Sequence, residues 1–418
     1  MSEALLLKPD RKFVEEIVAS GGDDLKKCFQ CATCSVACEV STGRTPFPRK
    51  EMIWAQWGLK DRLMADPDIW LCHQCNDCSK KCPRGARPGD VLAAVRKQAV
   101  QYHSAPRFLG NLVNRTKYFP LLYLALPAIL LALALTIREP LEQILPLGEP
   151  HEALYAAFFP HWLLIGFYAS FTGLAFIGAV VGVVRFWRSM RVADAASDSG
   201  PPALGVVPSV VRTLRSILFH DKFAKCTDQA SRRWTHLLAF YGFVALFVVT
   251  IWATIDLYLM PVFGVDSLYP FDLLHPMKLV ANVGGVVLVV GCVKAITDRR
   301  RSESSATTAF DSLFVWLLLG VGVTGFLTEV FRLAIEGAGQ SGLTSTAYFT
   351  YFVHLVLVFG LLVYLPYSKF AHLIYRTVAL VYAEHSGRNS DGRQLLPAGD
   401  SRPQLESHAD KALEAANA

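Results

Sequence analysis

Residues 351–372 read Tyr351-Phe-Val-His354-Leu-Val-Leu-Val-Phe-Gly-Leu-Leu-Val-Tyr-Leu-Pro366-Tyr-Ser-Lys-Phe-Ala-His372. The stretch is apolar over a length that can cross a bilayer, and it carries a histidine near each end. As one continuous helix it would place His354 and His372 on the same face, because 18 residues make five whole turns at ~3.6 residues per turn. Their separation would be roughly 27 Å at ~1.5 Å per residue, close to the ~30 Å hydrocarbon thickness. The spacing therefore predicts one imidazole near each membrane surface.

The composition of the chain divides it into three parts. Of its 418 residues, 52% are hydrophobic and only 18% are charged, and the mean hydropathy of +0.33 is high for a soluble protein. We expect an all-α protein with a cysteine-rich domain over residues 1–105, a membrane domain over 106–385 and a polar tail over 386–418. The tail has no sustained apolar face and is expected to be disordered or packed on a partner. A formal net charge of +6 is modest and does not indicate a nucleic-acid partner.

Eight of the ten cysteines lie in two runs with the same spacing, C-x2-C-x2-C-x3-C, and the second run closes in Cys82-Pro83. In ferredoxin runs of this kind, three cysteines ligate one iron–sulfur cube and the fourth ligates the other cube. We therefore predict two [4Fe–4S] clusters with crossed ligand sets. The ligands are Cys28, Cys31, Cys34 and Cys82 for the first cluster, and Cys72, Cys75, Cys78 and Cys38 for the second. Structural zinc is the alternative, but it gives no reason for two identical four-cysteine runs.

The surroundings of these cysteines favour metal binding over disulfides. Residues 1–27 contain no apolar core of a signal peptide, so we expect a reduced, cytoplasmic domain. One helix is predicted over residues 48–58, with proline near its start and glycine at its end, and another begins with Asp90 as an acidic N-cap. The domain is therefore predicted to be an α-helical ferredoxin. On the paired runs and on Phe47-Pro48-Arg49, residues 20–100 resemble the C subunit of heterodisulfide reductase.

Six apolar segments follow, each near the ~20 residues that a transmembrane helix requires. They cover residues 119–137, 161–184, 234–260, 276–296, 310–333 and 348–374. Pro127 and Pro366 lie inside two of them, which membrane helices tolerate. The connections after the second and fourth segments are rich in arginine and lysine, whereas the opposite connections have an acidic balance. By the positive-inside rule both termini are expected in the cytoplasm, with six spans in a prokaryotic inner membrane.

Four histidines are predicted to hold two haems in series across the membrane. Two ligands of one haem must lie at the same depth, which pairs His236 with His372 near the cytoplasmic face and His275 with His354 near the outer face. The haems would be non-covalent and b-type, since the chain has no C-x-x-C-H attachment motif. His161 is an alternative to His275, and any single histidine at an interface is more often structural than a ligand.

The last four segments resemble the haem b membrane subunit of respiratory nitrate reductase. The motifs that carry the resemblance are Arg-Arg-Trp-Thr-His236, Lys278-Leu-Val-Ala-Asn-Val-Gly-Gly, Ala306-Thr-Thr-Ala-Phe-Asp and residues 354–374. The resemblance implies that His354 and His372 ligate separate haems and that His236 is the partner of His372.

The resemblance also bears on the quinone and on the outer haem. Lys278 matches the quinol-site lysine of that family, which implies a hydrogen bond to a quinone oxygen beside the outer haem. The alternative is that Lys278 snorkels to the interface, because a lysine inside a membrane helix is costly. Leu246 stands where the family has a second histidine on the third segment, so the assignment of His275 rests on substitution and not on a matched position.

The fusion of the two modules resembles the C subunit of the quinone-interacting membrane-bound oxidoreductase complex, over nearly the whole chain except the tail. The resemblance implies flavin and iron–sulfur partner subunits A and B, and electron transfer between menaquinone and adenylylsulfate reductase in dissimilatory sulfur metabolism. The chain has no flavin- or nucleotide-binding fingerprint, so we expect a quinone-reactive subunit of an oxidoreductase with substrate chemistry elsewhere. The alternatives are a membrane anchor of a heterodisulfide or sulfur-intermediate reductase and, in a different class, a non-catalytic iron–sulfur anchor or redox sensor.

Overall fold

The structure of the chain, a computed structural model, describes residues 8–42, 45–137, 154–196, 202–219, 230–301 and 309–388. Every regular element in these ranges is helical, as the all-α prediction requires. The predicted polar tail lies outside the described residues from position 389 onward. Residues 138–153 and 220–229, which belong to the connections compared by the positive-inside rule, lie outside the described residues as well.

Residues 8–103, called the head below, contain short helices around an apolar core. In chain order these are α1 Arg11–Ala19, α2 Thr33–Val36, α3 Arg49–Gln56, α4 Lys60–Met64, α5 Asp68–Leu71, α6 Asp77–Lys80 and α7 Pro88–His103. The helix predicted over residues 48–58 is confirmed by α3. The prediction that Asp90 is an N-cap is wrong, because α7 already begins at Pro88, whose fixed φ suits the first helical position. Asp90 instead pairs with Arg87 at 2.8 Å.

Among the described residues, six helical segments are long and apolar enough to cross a membrane, as predicted. They are Thr116–Thr136, His161–Ala195, Arg233–Phe263, Pro276–Arg300, Phe310–Gly337 and Ser341–Val363. Their α-helices are α9 Leu126–Thr136, α11 His161–Ala196, α13 Ala230–Thr254, α14 Pro276–Arg301, α15 Ala309–Arg332 and α16 Thr344–Val363, and the shorter α8 Arg107–Val113, α10 Leu154–Phe158 and α12 Val206–Phe219 lie between them. The backbones of α13 and α14 meet at glycines, since a methyl group on Gly291 would stand 2.6 Å from the Ala239 nitrogen.

The sixth span does not continue through the stretch quoted at the outset, so the prediction of one unbroken helix there is wrong. α16 ends before Pro366, a 3-10 turn covers Leu365–Tyr367, and a separate helix, α17 Ala371–His385, follows. The physical reason is that proline lacks an N–H donor and that its ring clashes with the carbonyl four residues earlier in a helix. His354 and His372 therefore lie on different helices, and the same-face argument from their spacing fails.

After this break, α17 enters the core of the head. Tyr375 stacks on Trp70 of the head, with ring centroids 5.4 Å apart, and both rings also contact Phe186 of α11. Further members of the shared core are Ala371, Ala379 and Tyr382 of α17 and Met190 of α11. The predicted boundary after residue 105 is therefore a boundary in sequence only, because the core of the head continues into two helices of the membrane part.

A buried cluster of charges closes the junction on the side of the head. Lys50 pairs with Glu51, Asp66 and Asp68 at 3.1, 2.9 and 2.8 Å, and these three carboxylates are at most 3% exposed. Arg388, just beyond α17, adds pairs to Asp66 and Asp68 at 3.4 and 3.3 Å. Burial raises the pKa of Asp66, but the charges of Lys50 and Arg388 outweigh it and hold the pKa below its usual range. Burial dominates at Glu51, whose pKa lies well above its usual range.

Replacing Lys50 by Met is expected to destabilise the head by about 3–5 kcal/mol at pH 7, because it leaves buried carboxylates without their central cation. Without Lys50 the folded-state pKa of Asp66 rises. The folded-state pKa values of Glu51 and Asp68 already lie above their usual range and rise further, so stability lost at neutral pH returns as the pH falls. The measurement is the apparent unfolding midpoint by far-ultraviolet circular dichroism at pH 7 and pH 5. Lys60→Met is the control, since the ion pair of Lys60 with Asp10 is long, at 3.9 Å, and partly exposed. Equal midpoints for the two variants, or a deficit that grows on acidification, would contradict this account.

Candidate iron–sulfur and haem sites

The two cysteine runs fold into loops with the same backbone conformation. Gln30 and Ala32 in the first run have φ values of 60° and 67°, and Gln74 and Asn76 at the matching positions of the second run have 53° and 67°. Left-handed conformations are uncommon outside glycine, and they cluster at functional loops. Successive backbone N–H groups in such turns point to one side, where they favour negative charge. The Gln74 N–H accordingly donates to the Cys72 sulfur at 3.3 Å.

The predicted ligands of the second cluster lie together. Cys38, Cys72, Cys75 and Cys78 line one small cavity of about 30 Å³. The last cysteine of the first run thus joins the first three cysteines of the second run, which favours the predicted crossed set. Burial raises the pKa of the Cys38 thiol to about 12, so cluster binding must displace a proton from it.

The predicted ligands of the first cluster occupy the matching loop. Cys34 is buried beneath it and Cys31 is exposed at the surface of the head. The Arg84 guanidinium, two residues after Cys82, lies over the Phe29 ring at 4.3 Å, which draws the end of the second run towards the first loop. This contact favours Cys82 as the fourth ligand.

Polar side chains from neighbouring helices hold both loops, the first through its backbone and the second through a side chain. At the first loop, Gln56 donates to the Cys28 carbonyl at 2.8 Å and Arg49 donates to the Gln30 carbonyl at 3.0 Å. At the second loop, Arg96 of α7 donates to the Gln74 side chain at 3.0 Å. Sequence reasoning missed these residues because only the fold brings them to the cysteine loops.

A cavity of about 300 Å³ lies between the head and the membrane helices, at the lower end of the range for small-molecule sites. Both His236 of α13 and His372 of α17 line it, as does Cys72 of the second cluster loop. The His372 Nδ1 is 2.6 Å from the Lys369 carbonyl, which can only accept, so the proton is on Nδ1 and the Nε2 lone pair is available to a metal. Burial lowers the pKa of His372 to about 3, which keeps the ring neutral.

The chemistry of this cavity fits a haem with two histidine ligands. His236 and His372 supply imidazoles from two different helices, and the cationic side chains in the walls suit the carboxylates of the porphyrin. These cations are Arg96, Lys97, Lys369 and Arg376. Lys369 forms an ion pair with Asp311, which also lines the cavity.

Each of the three histidines predicted for the outer haem contacts a different residue. The His354 Nδ1 is 2.9 Å from the Thr324 hydroxyl, and the His161 ring is 5.7 Å from Tyr269. The His275 Nδ1 accepts from the Met277 N–H at 3.3 Å, which leaves the proton of the neutral ring on Nε2. His275 would have to give up this hydrogen bond to ligate a metal. The described contacts do not bring His275 and His354 together, and their pairing stays a prediction.

Lys278 takes part in an ion-pair network between two spans. Its Nζ lies 2.6 Å from Glu329 of α15, and Arg332 holds the other oxygen of Glu329 at 3.1 Å. Arg332 also pairs with Glu336 at 3.2 Å. Snorkelling is therefore not needed to compensate the lysine, because a carboxylate on the neighbouring helix does so. Sequence reasoning missed Glu329, although an acidic residue within a membrane span is itself a signal of function.

Two family models match the chain. The model described as "Citrate utilization protein B" matches residues 114–392, and the model described as "4Fe-4S dicluster domain" matches residues 24–86. The curated Citrate utilization protein B of Escherichia coli is 28% identical over 348 residues, which cover 79% of this chain and 84% of that protein. No solved structure matches the chain.

Other curated relatives match only the cysteine-rich part. The C subunit of the H(2):CoB-CoM heterodisulfide,ferredoxin reductase of Methanothermobacter marburgensis is 42% identical over 111 residues, which are 26% of this chain and 60% of that subunit. A protein of Archaeoglobus profundus described as similar to the C subunit of heterodisulfide reductase is 30% identical over 118 residues, covering 28% of this chain and 63% of that protein. The chain thus spans less than two thirds of the length of these two relatives. The resemblance of the head to the C subunit of heterodisulfide reductase is confirmed.

Double substitutions test the crossed ligand sets. Cys38→Ser alone is expected to remove half of the iron and acid-labile sulfide, because one of two clusters loses a ligand. Adding Cys78→Ser, from the same predicted set, is expected to cause no further loss. Adding Cys34→Ser, from the other set, is expected to remove the remainder. The reverse pattern of iron content in the two double variants would show that each run ligates its own cluster.

Proposed function

The chain belongs to the citrate utilization protein B family and carries a 4Fe–4S dicluster domain, and we propose that it is the membrane electron-transfer subunit of a quinone oxidoreductase. When bound, two b haems and two [4Fe–4S] clusters would carry single electrons between the menaquinone pool and partner subunits. The chain's own residues would hold these groups in order and bind the quinone.

The observation that carries the proposal is the cavity shared by His236, His372 and Cys72. The two imidazoles would ligate the inner haem, while the cysteine belongs to the loop of the second cluster. A single cavity therefore adjoins both predicted redox sites. Such proximity is what an electron-transfer chain needs, whereas a non-catalytic anchor has no use for it.

The proposed orientation has the head and both termini in the cytoplasm of a prokaryotic cell. Its support is the positive charge that flanks the head end of the bundle. These cations include Arg185, Arg188 and Arg191 near the end of α11, and Arg299, Arg300 and Arg301 at the end of α14. The quinone site would then lie in the outer half of the membrane.

In that outer half, Lys278 is the proposed hydrogen-bond donor to a quinone oxygen. Glu329 and Arg332 would hold the Lys278 ammonium in position, since Glu329 bridges the two cations. His354 would ligate the outer haem together with His275 or His161. In this arrangement, quinol oxidation would release protons near the outer surface and pass electrons inward.

The partner subunits would meet the head above the first cluster. Cys31 is exposed there, and the neighbouring Phe29 and Val36 are 67% and 89% exposed. Cationic residues precede the first run or lie in and just after the second, namely Lys26, Lys27, Lys80, Lys81 and Arg84, and the Arg84 guanidinium lies over the Phe29 ring at 4.3 Å. Exposed apolar side chains next to a cation suit a partner with an acidic surface. We propose flavin and iron–sulfur subunits A and B as these partners, with adenylylsulfate reductase as the terminal electron partner.

The second candidate function is the membrane anchor of a heterodisulfide or sulfur-intermediate reductase, which the similarity of the head to the C subunit of heterodisulfide reductase favours. Co-purification from the native membrane separates the two. Flavoprotein partners support the first candidate, and a subunit with cysteine-rich catalytic motifs supports the second.

The test of the proposed function is anaerobic addition of a menaquinol analogue to the full chain in lipid nanodiscs. We expect b-type absorption bands to become reduced, followed by the electron paramagnetic resonance (EPR) signals of reduced clusters. His236→Ala and His372→Ala should each lose one haem, and it should be the same haem in both variants. His385→Ala is the control and should keep both haems. His385 lies on the same helix as His372, but its ring is hydrogen-bonded to the Leu204 carbonyl.

The outer haem is tested by the same measurement. If His161→Ala loses one haem and His275→Ala does not, the ligand opposite His354 is His161 and not His275. A preparation with no b-type bands, or with bands that do not respond to the quinol analogue, would contradict the proposed function.

A further inference from the structure

Arg376 is one of the cations that line the cavity, and its hydrogen bonds also reach the loop of the second cluster. It lies four residues after His372 on α17, and both side chains line the cavity between the head and the membrane helices. Its guanidinium donates to the Cys72 carbonyl at 2.7 Å. A second guanidinium nitrogen lies 2.9 Å from the Nδ1 of His73.

The hydrogen bonds of Arg376 have only one possible direction. A guanidinium has five N–H donors, no acceptor and a charge that persists at all relevant pH values. The His73 Nδ1 must therefore accept, which fixes its neutral tautomer with the proton on Nε2. Arg376 thus holds two consecutive residues of the second cluster loop with one rigid side chain.

We propose that Arg376 is the positioning residue of the second cluster, fixing its loop to the helix that carries His372 and raising the cluster's reduction potential. The part of this proposal that concerns His372 as a haem ligand rests on the proposed function. The part that concerns the cluster potential does not, because it follows from the dicluster domain and from the contact with Cys72.

The effect on the potential follows from charge. Reduction adds an electron to a cluster, so a fixed positive charge beside one of its ligands stabilises the reduced form. The effect is larger inside a protein than in water because the dielectric constant is lower. The contact of the guanidinium is with the carbonyl of a ligating residue, so the charge is held close to the cluster. Removing it should make the second cluster harder to reduce.

The effect on position follows from the helix. Residues four apart lie on the same face of an α-helix, about 6 Å apart along its axis. Arg376 therefore sets the distance between the cysteine loop and His372 through a single turn of α17. Arg96 also holds the loop, through Gln74 and the Ile69 carbonyl, but it belongs to α7 of the head, and these two bonds do not involve α17.

Lysine cannot replace this side chain fully. A lysine ammonium keeps the charge, but it is a point donor on a flexible stem and cannot reproduce the planar fork that serves two acceptors. Arg11 offers a matched control on the head. Its guanidinium is exposed and pairs with Glu15 of the same helix at 3.0 Å, and neither residue belongs to a cluster loop.

The experiment is a potentiometric titration of the full chain in nanodiscs, monitored by EPR. The second cluster is identified as the signal that Cys75→Ser removes, since Cys75 shares a cluster with Cys72 whether or not the ligand sets are crossed. We expect Arg376→Gln to shift its midpoint to a lower potential, Arg376→Lys to cause a smaller shift in the same direction, and Arg11→Gln to leave it at the wild-type value. The first cluster should titrate unchanged in all three variants.

Unchanged midpoints of the second cluster in both Arg376 variants, at full iron content, would overturn the proposal. Equal shifts of both clusters would also overturn it, since they indicate a general loosening of the head. If Arg376→Gln loses its iron, Arg376→Lys decides alone, with a lowered midpoint for the proposal and a wild-type midpoint against it. The readout needs neither haem nor quinone, so absence of b-type bands would end the proposed function while leaving this result interpretable.

Discussion

Pro366 ends the sixth span, and this break determines where the two halves of the molecule meet. Because the chain leaves the helix at this residue, α17 can turn out of the bundle and pack into the core of the head. One face of α17 carries Tyr375, which stacks on Trp70. Another faces the cavity with His372 and Arg376. These two side chains lie beside a cysteine loop that is about 300 residues earlier in the chain.

The junction between the head and α17 contains buried carboxylates that are paired with cations. Burying Glu51 and Asp66 is unfavourable unless cations accompany them, and Lys50 and Arg388 provide this compensation from two distant parts of the chain. Arg388 lies just after α17, so the same helix is fixed at its end by charge and along its length by aromatic packing. The loops that carry left-handed residues are thereby attached to a rigid support, which is what a site with little tolerance for movement requires.

Sequence reasoning succeeded where the signal is local. The spacing of the cysteines and the lengths of the apolar segments depend on neighbours in the chain, and both the dicluster domain and the six spans are confirmed. It failed at Pro366. Membrane helices often tolerate proline, but here the helix ends before this residue. Arg376 could not be predicted, because its partner Cys72 is 304 residues away and no periodicity connects them. Glu329 could have been predicted as a functional residue, because an acidic side chain within a membrane span is a sign of function.

The central claim is that α17 brings a bis-histidine haem site and the second cluster loop into one cavity. An electron cryo-microscopy map of the full chain in nanodiscs tests it most directly. The account predicts porphyrin density between His236 and His372, with α17 separate from the sixth span and Arg376 in contact with the Cys72 loop. A haem-containing preparation whose map has no porphyrin in this cavity, or whose sixth span continues as one helix through His372, would contradict it.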